Sequence, residues 1–157
     1  MLRRFVATCY CFVIILISVV AEATSLAAAL PKNPTATPLR INYDGGGRIG
    51  TYMSRSNALR MSGQHVIIDG TCASACTILL GVIPRDRICV TPKAVLAFHA
   101  AWDLTLTGAR TSRPATLYIW AHYPDGVRRW ISRHGGLRSE TIYLRWPEVA
   151  SLFPVCR

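Results

Sequence analysis

The sequence predicts an α/β domain with a mainly parallel sheet, and three observations carry that prediction. Short apolar runs such as Val66-Ile67-Ile68 and Val95-Leu96-Ala97-Phe98 have the length of buried strands. Longer segments with helical spacing lie between them, and glycine or proline stands at the joins. Strand–helix–strand order with short buried strands favours right-handed crossovers and parallel pairing.

The N-terminus reads as a targeting segment rather than as part of this domain. Met1-Leu2-Arg3-Arg4 is a short basic start, Phe5 to Val20 is almost wholly apolar, and Ala21-Glu22-Ala23 supplies small residues at a cleavage site. The apolar run falls just below the ~17–25 residues that span a bilayer. Residues 1–23 are therefore expected to be a signal peptide cut after Ala23, with a cut between Ser25 and Ala29 or an uncleaved N-terminal anchor as the alternatives. Each places the remainder outside the cytoplasm, in the periplasm or secreted, and a membrane is met only through an uncleaved signal. Residues 24–37, rich in Ala, Pro and Thr, read as a flexible leader, and residues 38–157 as one domain.

The chain carries 18 Lys and Arg against 8 Asp and Glu, a net charge of +10. Lys32 and Lys93 are the only lysines, and the arginines are scattered. No nucleic-acid motif accompanies the charge, so a nucleic-acid partner is not expected. Cys9 and Cys11 fall inside the signal. Cys72, Cys76, Cys89 and Cys156 remain, an even number suited to disulfides in an oxidising compartment, with three complete pairings open. Cys72-x3-Cys76 has tolerable zinc-ligand spacing, but no second close pair completes a tetrahedral set, so neither a metal nor a cofactor is expected.

Along the domain, Ile41-Asn42-Tyr43 reads as a strand broken by Asp44-Gly45-Gly46-Gly47. A helix is expected over Ile49 to Met61, with Ile49, Met53, Ala58 and Met61 as its apolar face and Ser62-Gly63 as its stop. Gln64 to Asp69 reads as a strand ended by Gly70, and a helix starting near Ala73 runs through Gly81. Two strands follow, over 87–90 and 94–98, then a loop containing Gly108. Residues 114–123 and 125–134 read as helices separated at Pro124, which disfavours a helical Tyr123, so two helices or one kinked helix is expected. Asp125 reads as a helix cap. A short strand at 142–144 and a turn of helix near Pro147-Glu148-Val149-Ala150 complete the chain.

Two positions carry chemistry by their placement. Ser74 follows a strand and should open a helix, where unpaired N–H groups and the helix dipole favour developing negative charge. A serine in that place also serves as an ordinary cap. His99 ends a strand, where sites gather in parallel sheets, and a neutral imidazole within reach would activate the serine. Gly45-Gly46-Gly47, at another strand end, could offer an N–H to an oxyanion. His65, His122 and His134 have no assigned chemistry, and the four tryptophans read as core or interface, with Trp102 able to line a groove.

The run Ile41-Asn42-Tyr43-Asp44-Gly45-Gly46, a helix, Val66-Ile67-Ile68-Asp69-Gly70-Thr71-Cys72-Ala73-Ser74-Ala75-Cys76 and then Val95-Leu96-Ala97-Phe98-His99 resembles the ClpP serine-protease family of the crotonase-like superfamily. More closely, it is similar to exported ClpP-like bacterial proteins with a Cys-x-Ser-Ala-Cys box and a later Phe-His. The resemblance covers residues 39–103, and the 25-residue separation of Ser74 from His99 matches the family's register. It implies Ser74 as nucleophile, His99 as base, the N–H groups of Gly46 and Ala75 as oxyanion hole, and acyl transfer on a peptide or protein substrate. For the third member of the triad the candidates are Glu148, near the family's distance, and Asp103, close in sequence to His99; a missing acid, which would leave a weak hydrolase or none, is the remaining alternative. The chain departs from the family in having Asp44 where ClpP has Pro, the small Ala75 after the serine, and a reduced C-terminal handle region interrupted by Pro124-Asp125. A ClpP-like barrel therefore does not follow, although an oligomer is compatible with the pattern. A non-catalytic scaffold or partner-binding protein is the competing function, with Cys72 and Cys76 rigidifying the turn; a cysteine bridge that blocks the serine until reduced is a further reading.

Overall fold

The computed structural model describes residues 37–157, so the expected signal peptide and nearly all of the leader lie outside the described residues. Strand β1 (Leu39–Asp44) leads through the glycine turn into helix α1 (Ile49–Ser62), and the chain returns as β2 (Val66–Ala73), parallel to β1. Gly63 ends α1 in the left-handed conformation at φ 75°, which a glycine adopts at little cost. The buried face of α1 differs from the expected one. Ile49, Tyr52, Met53 and Leu59 pack inward around the buried Ser56, whereas Ala58 is exposed and Met61 is 74% exposed. At about 100° per residue Ala58 falls opposite Ile49, so it could not share that stripe.

Gly70 does not end β2 as the sequence suggested. The strand runs on to Ala73, and the β1–β2 register slips between Ile41 and Tyr43, so that one residue on β1 faces two on β2. A Cβ on Gly70 would lie 1.8 Å from the Asn42 carbonyl oxygen. The glycine thus marks a bulge where two backbones touch.

After β2 the chain tightens into a 3-10 turn (Ser74–Ile78), then α2 (Leu79–Val82) and a second 3-10 turn (Arg85–Arg87). Strands β3 (Ile88–Val90) and β4 (Val95–Phe98) pair in succession along the far edge of β2, both parallel to it. Thr91 bridges them. Its N–H reaches the Ile68 carbonyl at 3.0 Å and its hydroxyl donates to Asp69 at 2.7 Å. That hydroxyl, and then Arg40, hold the Asp69 carboxyl below the usual range against the opposing effect of desolvation.

Residues 102–111, expected as a loop, form a hairpin of β5 (Trp102–Thr105) and β6 (Gly108–Thr111) outside the main sheet. Helices α3 (Arg113–His122) and α4 (Asp125–Arg133) follow, broken at Tyr123-Pro124 as expected. Pro124 rather than Asp125 is the cap, and Asp125 stands in the first turn, paired with Arg128. Strand β7 (Ile142–Arg145) closes the sheet antiparallel to β4, and α5 (Glu148–Leu152) packs at the end. The sheet order is β1-β2-β4-β7 with β3 also on β2, a mostly parallel α/β arrangement.

The core lies on the sheet beneath α2, α4 and α5. Val66, Ile68, Leu96, Phe98, Ile131, Leu144 and Val149 are completely excluded from solvent, and Trp130 nearly so. Two disulfides settle the pairing: Cys72 with Cys76, and Cys89 with Cys156. The second fastens the C-terminus to β3, where Cys156 N–H also donates to the Val90 carbonyl at 3.0 Å. Bonded pairs of this kind belong to an oxidising environment. With both sulfurs of Cys72-x3-Cys76 in one bond, that pair is not a zinc half-site. No helix among the described residues is long and apolar enough to cross a membrane.

Candidate active site

Strand register brings the predicted residues to one end of the sheet. Asp44 pairs with Cys72 and Ala73 with Ala97, so Gly46, Ser74 and His99 emerge together just past the C-terminal ends of β1, β2 and β4. Among the described residues no hydrogen bond joins Ser74 Oγ to the His99 ring, whose one bond is to the Ala100 carbonyl. Gly46, Ser74 and His99 line a pocket of about 1030 Å³ with Ala75, Trp102 and Asp103, while Tyr118 and Ile119 of α3 form another wall.

Ser74 sits at φ 55°, the only non-glycine with positive φ among the described residues. For a side chain bearing Cβ this backbone costs about 1–3 kcal/mol, so the surroundings must impose it. Cys72 and Cys76, buried on either side, are joined by a disulfide that straddles the serine. The Thr77 hydroxyl donates to the Ser74 carbonyl at 2.6 Å. Gly46, at φ 81°, presses from the other side. A Cβ there would lie 2.7 Å from Ser74 Cβ and 2.6 Å from the Ala73 carbonyl oxygen.

His99 directs Nδ1 to the Ala100 carbonyl at 2.7 Å. A carbonyl only accepts, so Nδ1 carries a proton, and in the neutral imidazole Nε2 is then the nitrogen with the lone pair. That is the tautomer a general base needs. Where a triad has a carboxylate, His99 has a backbone oxygen.

Neither predicted acid bonds the imidazole. Glu148 does not line the pocket; it opens α5, and its Oε2 accepts from Trp130 Nε1 at 3.2 Å. Asp103 lines the pocket on exposed β5, opposite Arg110 of β6. The upstream glycines also depart from expectation. Gly46 N–H is donated to Asp44 Oδ1 at 2.9 Å, closing a small turn, and so faces a carboxylate instead of an oxyanion. Tyr52 donates to the same oxygen, and Arg55 lies 3.4 Å from Oδ2. Burial, then the Asp44 carboxylate, push the Tyr52 hydroxyl up to about 12. Ala75, second residue of its 3-10 turn, has no earlier residue in that turn to receive its N–H.

Two of the other three histidines are tied to helix carbonyls: His122 Nδ1 to the Tyr118 carbonyl, and His134 Nδ1 to the Trp130 carbonyl while stacking on that indole. No protein-family model matches the chain, and no curated protein matches it.

Proposed function

We propose that this protein is an exported ClpP-like serine hydrolase, acting on peptide or protein substrates by acyl transfer through a Ser74–His99 pair. The observation that carries the reading is Ser74 itself, held at φ 55° on a strand-to-helix turn in a pocket shared with a histidine whose neutral form has its lone pair on Nε2. Nucleophilic serines are commonly presented on such strained turns. In this reaction Ser74 Oγ attacks the substrate carbonyl carbon while His99 Nε2 takes its proton. The Ala75 N–H receives the oxyanion. Collapse of the tetrahedral adduct breaks the amide bond, and His99 returns the proton to the leaving nitrogen. Water then attacks the acyl-serine by the same route and releases the acid. The Ala100 carbonyl orients the imidazole but brings no full negative charge to the imidazolium, so turnover should be slow beside an enzyme with a complete triad.

A fluorophosphonate probe tests the proposal. Ser74 should be the modified residue by peptide mapping, and Ser74→Ala should abolish the modification. A scaffold without catalysis is the second reading, favoured by Asp44 holding the Gly46 N–H. It expects no labelling of folded protein.

A further inference from the structure

One buried residue that the mechanism does not use touches a neighbour of each member of the pair. Tyr123, 3% exposed, follows α3 and hydrogen-bonds Thr77 across 2.7 Å; Thr77 is fully buried. The direction of this bond follows from proton count. The single Thr77 proton goes to the Ser74 carbonyl at 2.6 Å, so Tyr123 must be the donor to Thr77. The ring of Tyr123 meets Phe98 edge to face, with centroids 5.3 Å apart and planes at 85°. Phe98 is fully buried and immediately precedes His99. One side chain therefore meets, through its hydroxyl, the residue bonded to the Ser74 carbonyl and, through its ring, the residue that precedes His99.

The residue is itself held in place. The end of α3 lies directly on α2, so closely that a Cβ on Gly81 would fall 1.4 Å from the His122 carbonyl oxygen. Burial pushes the Tyr123 hydroxyl up to about 12, so it keeps its proton, and its role as donor, across the physiological range.

We propose that Tyr123, acting through Thr77 and Phe98, is the positioning residue that holds Ser74 and His99 in register, an inference that rests on the acyl-transfer reading above. With a carbonyl in place of the triad carboxylate, orientation of the pair falls to the packing behind it. Tyr123 occupies the place from which both can be oriented at once. It touches no substrate, and its effect is on geometry: misplacement by an ångström can cost about a hundredfold in rate.

The test compares Tyr123→Phe, Thr77→Val and Thr77→Ser for the second-order rate of fluorophosphonate labelling at Ser74. Each is measured well below its own thermal midpoint. Tyr123→Phe keeps the ring and loses only the donor; Thr77→Val keeps the shape and loses the relay; Thr77→Ser keeps the hydroxyl. The two variants that break the relay should label at least about tenfold more slowly, and Thr77→Ser should stay within about threefold of the parent. Labelling of Tyr123→Phe and Thr77→Val at the parental rate, with only their midpoints lowered, would mean that the network serves stability alone and would overturn the proposal. So would equal slowing by Thr77→Ser and Thr77→Val. A parent protein unlabelled at Ser74 is a different result: it removes the acyl-transfer reading and this inference with it.

Discussion

Gly46 shows how much one residue of the site depends on having no side chain. Its positive φ of 81° and its approach to Ala73, Ser74 and Ala75 both exclude Cβ. Gly46→Ala should therefore displace the serine turn, lower stability by about 1–3 kcal/mol and reduce Ser74 labelling. Thermal unfolding beside labelling checks this; an unchanged midpoint and rate would mean that the contact gives way freely. The glycine triplet was legible in the sequence, but its partner was not. Nothing in the order of residues showed that Asp44 would turn back on Gly46 N–H, because that bond depends on side-chain direction. His99 was likewise legible as a histidine at a strand end, whereas its Ala100 acceptor was not: every residue has a carbonyl, and only the local fold turns one toward an imidazole.

The elements that carry the site were the easiest to foresee. β1, buried only at Ile41, was legible chiefly from the glycines that end it. β2 and β4 are short apolar segments with little exposure on either face, which makes such runs recognisable. The hairpin of β5 and β6 was missed for the opposite reason. All of its strand residues are exposed, so no buried face imposes an alternation on residues 102–111. Its two ends are joined where Ser112 N–H donates to the Ala101 carbonyl at 2.8 Å, and Ala101 N–H in turn donates to Thr116 Oγ1 of α3 at 3.0 Å. Segments with little burial open at low free-energy cost. Amide hydrogens of residues 103–110 should accordingly exchange well before those of β2 and β4, as mass spectrometry of deuterated protein would read. Equal protection would indicate that another surface covers the hairpin. Gly70 was misread because a glycine within a strand and one ending it look alike without the neighbouring strand in view.

At the scale of the whole molecule, four cysteines left three pairings open, and only the sheet chose between them. Cys156 follows a bridge between Val155 and Val90 that brings the C-terminus alongside β3 and hence to Cys89. The two cysteines are 67 residues apart in sequence, and closing a loop of that size contributes roughly 4 kcal/mol on the chain-entropy account. Cys89→Ser with Cys156→Ser should lower unfolding free energy by a few kcal/mol in urea titrations while Ser74 labelling persists below the new midpoint. An unaltered urea midpoint would show that this bond adds nothing to the fold. The Cys72–Cys76 bond differs in kind, since it straddles Ser74 and both sulfur-bearing residues are buried. Burial slows thiol–disulfide exchange, which fits a fixed brace better than a switch that opens to expose the serine. On the proposed acyl transfer, this braced turn presents a working nucleophile. The most direct measurement is mass-mapped fluorophosphonate labelling of the folded, oxidised protein beside its Ser74→Ala variant. Modification at Ser74 that disappears in the variant is the predicted result; folded protein that stays unmodified, or a variant labelled as fast as the parent, would contradict it.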